Sequence, residues 1–371
     1  MTAKANRKPE LDGLRGVAVA VVLLSHIWVV KLWGGIPLGY WQNVVLHFSA
    51  RGVDLFFVLS GFLIGGILID NVRSPKLFGV FYLRRAFRII PAYWLLIATF
   101  VLARLFDARV RFGLLQYLYD PNPLPVWRFV LFIQNFVMAW KRSIDPVWLV
   151  ATWSLAVEEQ FYLMVPLFIR YLTRYLVPFC IAGIVTSLAI RYYYIYCAAD
   201  NICAAENLFV CRTDSLCVGI LVAIASRSSP AGRWLDAHSS WLAAGFVASM
   251  LVYFGLPVAD PGMVSDAVYH PTIYALADGF ILLHLLRTPA GILAGILRSR
   301  FLVWLGGISY FVYLFHLPIN FVVATAMGKI STGLDGAAMV VSTAAVFLAG
   351  CASRRWFEEP LIRFSHRYSY N

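Results

Sequence analysis

Charge is what this chain has least of. Only 13% of its 371 residues are Asp, Glu, Lys or Arg, about half the roughly 25% typical of soluble domains, which excludes a water-solvated globule. Acids are scarcer than bases, 19 against 31. No Lys/Arg run with interleaved aromatics accompanies that excess, so the positive balance does not read as nucleic-acid binding. Six cysteines are present without a CxxC pair, which leaves zinc ribbons and dithiol redox sites without ligands. Cys197, Cys203 and Cys211 lie near one loop, where a disulfide and buried free thiols are equally good readings. HExxH, GxSxG and Walker loops are missing, and the sequence predicts no metal and no permanently bound cofactor. Internal repeats and low-complexity linkers are lacking too, so residues 1–371 read as one domain.

What fills the chain is apolar, with 61% of residues hydrophobic. A membrane-crossing helix takes about 20 mainly apolar residues, and such stretches fall at about 15–32, 53–70, 88–105, 149–169, 175–195, 207–226, 240–257, 268–286, 302–323 and 336–353. The expected fold class is all-α, a polytopic membrane protein of about ten spans. The first span follows Lys4, Arg7 and Lys8 with no small-residue cleavage site behind it, so it reads as uncleaved. With the N-terminus inside, about 20 of the 31 cations fall on the inner side, as the positive-inside rule requires. Both termini are then cytoplasmic. The stretch VWRFVLFIQNFVMAW, around 126–140, is short for a span and would invert the later topology, so an interfacial or re-entrant element is expected there. Residues 354–371, beginning around WFEEPLIRF, read as an amphipathic cytoplasmic stub.

Ionisable side chains within a membrane are costly and by default mark function. ELDGLRGVAVAVVLLSHIW carries Arg15 and His26. At 100° per residue these share a helix face to within about 20° and stand about 16 Å apart along the axis. A snorkelling anchor and a hydrogen-bonded core histidine are the plainer alternatives. FYLRRAFRIIPAYW adds Arg85 and Arg88, three apart on one face at the inner end of the third span. Three guanidiniums together suit a pyrophosphate or a phosphomonoester, although basic residues collect at inner boundaries in any case. TWSLAVEEQFYL sets Glu158 beside Glu159, so only one of them faces a given site, and Ser154, Glu158 and Tyr162 share a face. Counted from Trp148 at the outer interface, Glu158 is expected at the depth of His26, where a carboxylate would hold the imidazole tautomer. A buried ion pair without a catalytic role is the alternative. Trp153, Tyr162, Arg212, Asp214, Tyr313 and His316 are candidate acceptor or cavity residues, with a structural pair the equal alternative for Arg212 and Asp214, and Asp278 is a further intramembrane acid. His47, His238, His270, His284 and His366 read as loop, interface or packing residues. Trp28, Trp33, Tyr40 and Trp41 read first as an interfacial belt and second as a sugar platform.

In order along the chain, ELDGLRGVAVAVVLLSHIW, GVDLFFVLSGFLIG, FYLRRAFRIIPAYW, WSLAVEEQFYLMVPL, CRTDSLCVG, LGGISYFVYLFHLPI and FEEP resemble the membrane-bound acyltransferase-3 family over nearly the whole sequence. The resemblance implies an O-acyltransferase of the cell inner membrane. It would take an acyl group, usually acetyl, from cytoplasmic acyl-coenzyme A and pass it to a hydroxyl of a carbohydrate or glycolipid acceptor on the far side of the lipid bilayer. The family's Arg and His separated by ten residues match Arg15 and His26, and its RxxR matches Arg85 and Arg88. Acyl-coenzyme A binding is then expected of Arg15, Arg85 and Arg88. Catalysis is expected of His26, oriented by Glu158 and acting as general base or as transient acyl carrier. The pairing of His with Asp five residues later, used by many soluble acyltransferases, is missing. Some family members continue into an SGNH hydrolase-like domain, which is not expected here because the sequence stops soon after FEEP. A transporter or flippase for a glycan precursor is the alternative, since it too would line a path with Arg, His and Glu.

Overall fold

The computed structural model describes residues 8–33, 51–110, 125–143, 146–198, 200–259, 267–328 and 336–370. The chain runs through α1 (Pro9–Trp33), α2 (Gly52–Asp70), α3 (Leu77–Val110), α4 (Val126–Val130), α5 (Gln134–Lys141), α6 (Thr152–Tyr171), α7 (Leu176–Tyr192), α8 (Ile202–Asn207) and α9 (Phe209–Arg227). It continues through α10 (Ser229–Ala237), α11 (Ser239–Ala259), α12 (His270–Arg287), α13 (Ile292–Leu297), α14 (Arg300–Ala326), α15 (Gly336–Ser353) and α16 (Glu359–Ser365). No strand occurs among the described residues. Backbone polar groups in lipid must be satisfied within the chain, which helices achieve locally.

Each of the ten stretches expected to span is helical. Among the described residues, seven helices are long and apolar enough to cross a membrane: Gly52–Asp70, Leu77–Phe106, Thr173–Cys197, Ile202–Arg227, Ser239–Leu256, Arg300–Ala326 and Gly336–Ser365. The remaining long helices, α1, α6 and α12, carry Arg15 and His26, Glu158 to Gln160, and His270 and Asp278.

The centre of the bundle is α2 and α9, each 67% buried along its apolar stretch, against 11% in α11. On α11 and α15, Leu251, Phe254, Val340 and Leu348 point outward, an apolar surface that only lipid or another protein would solvate. The inner helices meet backbone to backbone through glycine. A Cβ on Gly61 of α2 would stand 2.1 Å from the Leu216 carbonyl oxygen of α9, and one on Gly219 would stand 2.2 Å from that of Val58. Helices α1 and α14 cross the same way, with Gly16 against Leu302 and Gly306 against Asp12 at 2.2 and 1.8 Å. Small residues at such crossings allow the close approach that drives helix association in membranes.

The segment around 126–140 folds as two short helices, α4 and α5, broken at 131–133 with Phe132 in the left-handed region at φ 56. Side chains satisfy the backbone at the break. Tyr93 Oη donates to the Phe129 carbonyl at 2.8 Å, Gln160 Nε2 to that of Phe132 at 2.9 Å, and Gln134 Nε2 to that of Thr152 at 2.9 Å. Asn135 and Gln160 exchange amide hydrogen bonds. After α15 the chain stays helical through Arg354–Glu358 and α16. Its tail then packs back on the start of α3, where Ser74 and Arg84 donate to the Tyr370 and Tyr368 carbonyls.

Candidate active site

Helices α1, α2, α3, α6 and α14 enclose a cavity of about 110 Å³. Its wall on α2 runs from Val53 to Ile64, about 16 Å of helix rise, so the space is long and narrow. One end gathers Arg15, Arg85, Arg88, Ser60, Glu158 and Tyr162, and the other is lined by Phe56, Ser154 and Tyr313. The three guanidiniums expected to act together therefore surround one space although they come from two helices. Arg15 sits beside Asp12, with a 3.2 Å nitrogen–oxygen separation, and within the field of Arg88. Arg85 lies over the Tyr162 ring at 5.5 Å.

Glu158 reaches the Tyr162 and Ser60 hydroxyls and the fields of Arg85 and Arg88, and those two hydroxyls are themselves 2.6 Å apart. Glu158 makes no hydrogen bond to His26. The reason is register along α6: the residue that meets the other end of the cavity is Ser154, one turn earlier, whose hydroxyl pairs with Tyr313. Glu158 belongs to the arginine end.

His26 has another partner. Its ring lies 4.6 Å, centroid to centroid, from that of His316 on α14. His26 Nδ1 is 3.0 Å from the Val22 carbonyl, and His316 Nδ1 is 2.7 Å from that of Tyr313. A carbonyl only accepts, so Nδ1 of each ring carries a hydrogen, and in the neutral form of each ring Nε2 keeps the lone pair. His316 Nε2 is buried without a hydrogen bond, the condition in which a base has no competing partner. The pair adjoins this second end of the cavity, with the His316 ring 6.1 Å from Tyr313 and the Tyr313 ring 5.9 Å from Phe56.

The remaining candidates go elsewhere. Arg212 and Asp214, two apart on α9, point apart and do not pair with each other. Arg212 binds Asp54 at 2.9 Å and covers the Trp153 ring at 5.5 Å, while Asp214 binds Arg191 at 2.8 Å and accepts from Thr272. Asp278 accepts from Tyr253. Rings of His238, His284 and His270 pack on Trp234, Phe246 and Tyr274. All six cysteines are free thiols. The side chains of Trp28 and Trp33, and residues Tyr40, Trp41 and His47, lie outside the described residues.

Sequence reasoning passed over Ser60 and Tyr310 of the cavity wall, and over Asp54 and Arg191 of the buried pairs. The signal was the one used for Arg15: a polar or charged residue inside an apolar stretch.

The comparisons with known proteins decide the family. The profile described as an acyltransferase domain, that of the acyltransferase-3 family, matches residues 8–353. The chain belongs to the acyltransferase-3 family. Among its relatives is the O-acetyltransferase OatA of Staphylococcus aureus, 29% identical over 331 residues that cover 84% of this chain and 50% of that protein. Another is the peptidoglycan O-acetyltransferase OatA of Listeria monocytogenes, 26% identical over 389 aligned residues, 97% of this chain and 57% of that protein. The chain spans about half the length of the curated relatives it matches. No solved structure matches it. Within the acyltransferase domain, the arginine-lined cavity and the adjoining histidine pair together lie inside the matched residues.

Proposed function

We propose that this chain is a membrane O-acyltransferase that moves an acyl group, acetyl in the first instance, from cytoplasmic acyl-coenzyme A to a hydroxyl of a carbohydrate acceptor beyond the membrane. The observation that carries the proposal is the polarity of the cavity. It has a guanidinium cluster at one end and, beside the other, two imidazoles held through Nδ1 on backbone carbonyls, with His316 Nε2 buried and without a hydrogen bond. Arg15, Arg85 and Arg88 meet the anionic donor, and its thioester arm fills the narrow space. The acceptor approaches from the histidine side. His26 Nε2 takes the proton of the acceptor hydroxyl, the oxygen attacks the thioester carbonyl carbon, and the carbon–sulfur bond breaks. The imidazolium returns its proton to the departing thiolate, so coenzyme A leaves as the free thiol and the histidine is regenerated. Glu158 holds Ser60 and Tyr162 at the donor end, and His316 offers a second site for the proton.

The names of the relatives favour a peptidoglycan glycan as acceptor. The positive-inside distribution favours ten spans with both termini cytoplasmic, the element at 126–140 lying re-entrant and residues 354–371 lying on the inner surface. The test uses purified protein in vesicles with acetyl-coenzyme A, with thiol release followed with and without glycan fragments. Acceptor-dependent release that His26→Ala abolishes is the expected result. Wild-type turnover in that variant, or passage of an unmodified glycan without thiol release, would overturn the proposal.

A further inference from the structure

A second, larger cavity of about 640 Å³ opens at the end of the bundle where α1 begins and α2, α9 and α12 finish. Its wall carries four cations, Lys8, Arg15, Arg227 and Arg287, against two carboxylates, Asp12 and Asp70. Arg15 and Leu63 line both this vestibule and the narrow cavity, so the two spaces meet at Arg15. Arg227 grips Asp70 through two nitrogens at 2.7 and 2.8 Å, and Arg287 reaches Asp236 at 3.0 Å. Both carboxylates are more than half exposed. These guanidiniums sit on solvated carboxylates, which a more highly charged phosphate can replace with the same two-nitrogen geometry.

We infer that the vestibule is the seat of the phosphorylated nucleoside of the donor, with Arg227 and Arg287 as its phosphate ligands and Arg15 at the junction with the pantetheine arm. The inference rests on acyl-coenzyme A being the donor. Size decides the division of labour. Pockets for ligands of nucleotide size run to roughly 300–1,000 Å³, a range that contains the vestibule and excludes the narrow cavity. Arg85 and Arg88 therefore meet the thin end of the donor or its diphosphate, and the nucleoside with its separate phosphate needs the other space. A phosphate ester could also come from an anionic lipid headgroup. Continuity with the narrow cavity through Arg15 favours the soluble nucleotide, because a lipid headgroup has no use for it.

The test uses the full chain in phosphatidylcholine nanodiscs and measures calorimetric binding of adenosine 3′,5′-bisphosphate, a fragment that cannot donate an acyl group. Arg227→Gln and Arg287→Gln should each weaken it about tenfold, whereas Asp70→Asn, which frees Arg227 from its competitor, should tighten it. A folding defect would weaken binding in every variant, so the opposite signs separate a site from a damaged bundle. Equal affinity in wild type and both arginine variants would overturn the vestibule assignment while leaving acyl transfer standing, since thiol release from acetyl-coenzyme A reports that separately. Displacement of the bisphosphate by phosphatidylglycerol in the nanodisc would make a lipid the occupant and overturn the inference as well.

Discussion

The substitution Gly306→Ala asks how tightly the fold positions Arg15. The added Cβ would lie 1.8 Å from the Asp12 carbonyl oxygen, and that atom is backbone, so no side chain can turn away. An ordinary contact needs at least about 3.4 Å, so α1 and α14 must part by about 1.6 Å at their crossing. Two costs follow. Overpacking of this kind destabilises by about 1–3 kcal/mol, and a displacement of about 1 Å in a positioning element costs on the order of 10²-fold in rate. The crossing lies beside Arg15 at the donor end, while the His26–His316 contact joins the same two helices farther along, so both ends of the site are strained. Thermal melting in detergent and thiol release in vesicles measure the two costs. Gly255→Ala on α11 is the control, because a Cβ there meets nothing within 4 Å. It should leave both values unchanged or raise stability slightly. A Gly306→Ala protein with wild-type melting and kcat/KM would refute the claim that backbone contact between α1 and α14 sets the site geometry.

Other outcomes follow from the same structure. His316→Ala should lower kcat by on the order of 10²-fold with little change in KM for the donor, since it removes a proton site and no donor contact; a KM effect alone would argue for a packing role. Tyr162→Phe deletes the hydroxyl shared with Ser60 and Glu158 and should raise KM for acetyl-coenzyme A more than it lowers kcat. Arg212→Ala leaves buried Asp54 with Arg51 alone, at 3.4 Å, and should destabilise by less than the about 3–5 kcal/mol of a fully unpaired buried charge, as melting would report. Partial desolvation, then Arg84, Arg88 and Arg85, push His366 below the usual histidine range. The stability it lends is present above its ordinary value of about 6.5 and is lost as pH falls through the lowered one. His366→Gln should remove that part of the pH dependence, and a titration of the ring by NMR should find the lowered midpoint.

Periodicity and length made the helices legible, because a membrane leaves the backbone few other choices. The alignment of Arg15 with His26 and of Arg85 with Arg88 followed from helix geometry alone, since each pair lies on one helix. What the sequence hid was every relation between helices. Glu158 and His26 looked level because depth was counted from Trp148, yet the hydroxyl bond of Ser154 with Tyr313 sets the register of α6 against α14 and leaves Glu158 at the arginine end. His316 was visible as a polar intrusion, but its tilted ring contact with His26 depends on the crossing of α1 with α14, which only the glycines at 16 and 306 foreshadowed. Arg212 and Asp214 looked like a pair because they are neighbours in sequence, whereas positions two apart on a helix face different ways.

The two glycine crossings also give the cavity stiff and compliant walls. Helices α1 and α14, like α2 and α9, touch backbone to backbone and have no slack to yield. Helix α3 is held to its neighbours by long reaches instead, through Tyr310 Oη to the Ile89 carbonyl at 2.8 Å and Tyr82 Oη to that of Leu163 at 2.9 Å. Widening this narrow space is therefore easier by moving α3 outward, as a door hung on tyrosine arms, than by parting a glycine crossing. Arg85 and Arg88 would travel with it, so the charges that greet an incoming molecule are mounted on the leaf that swings.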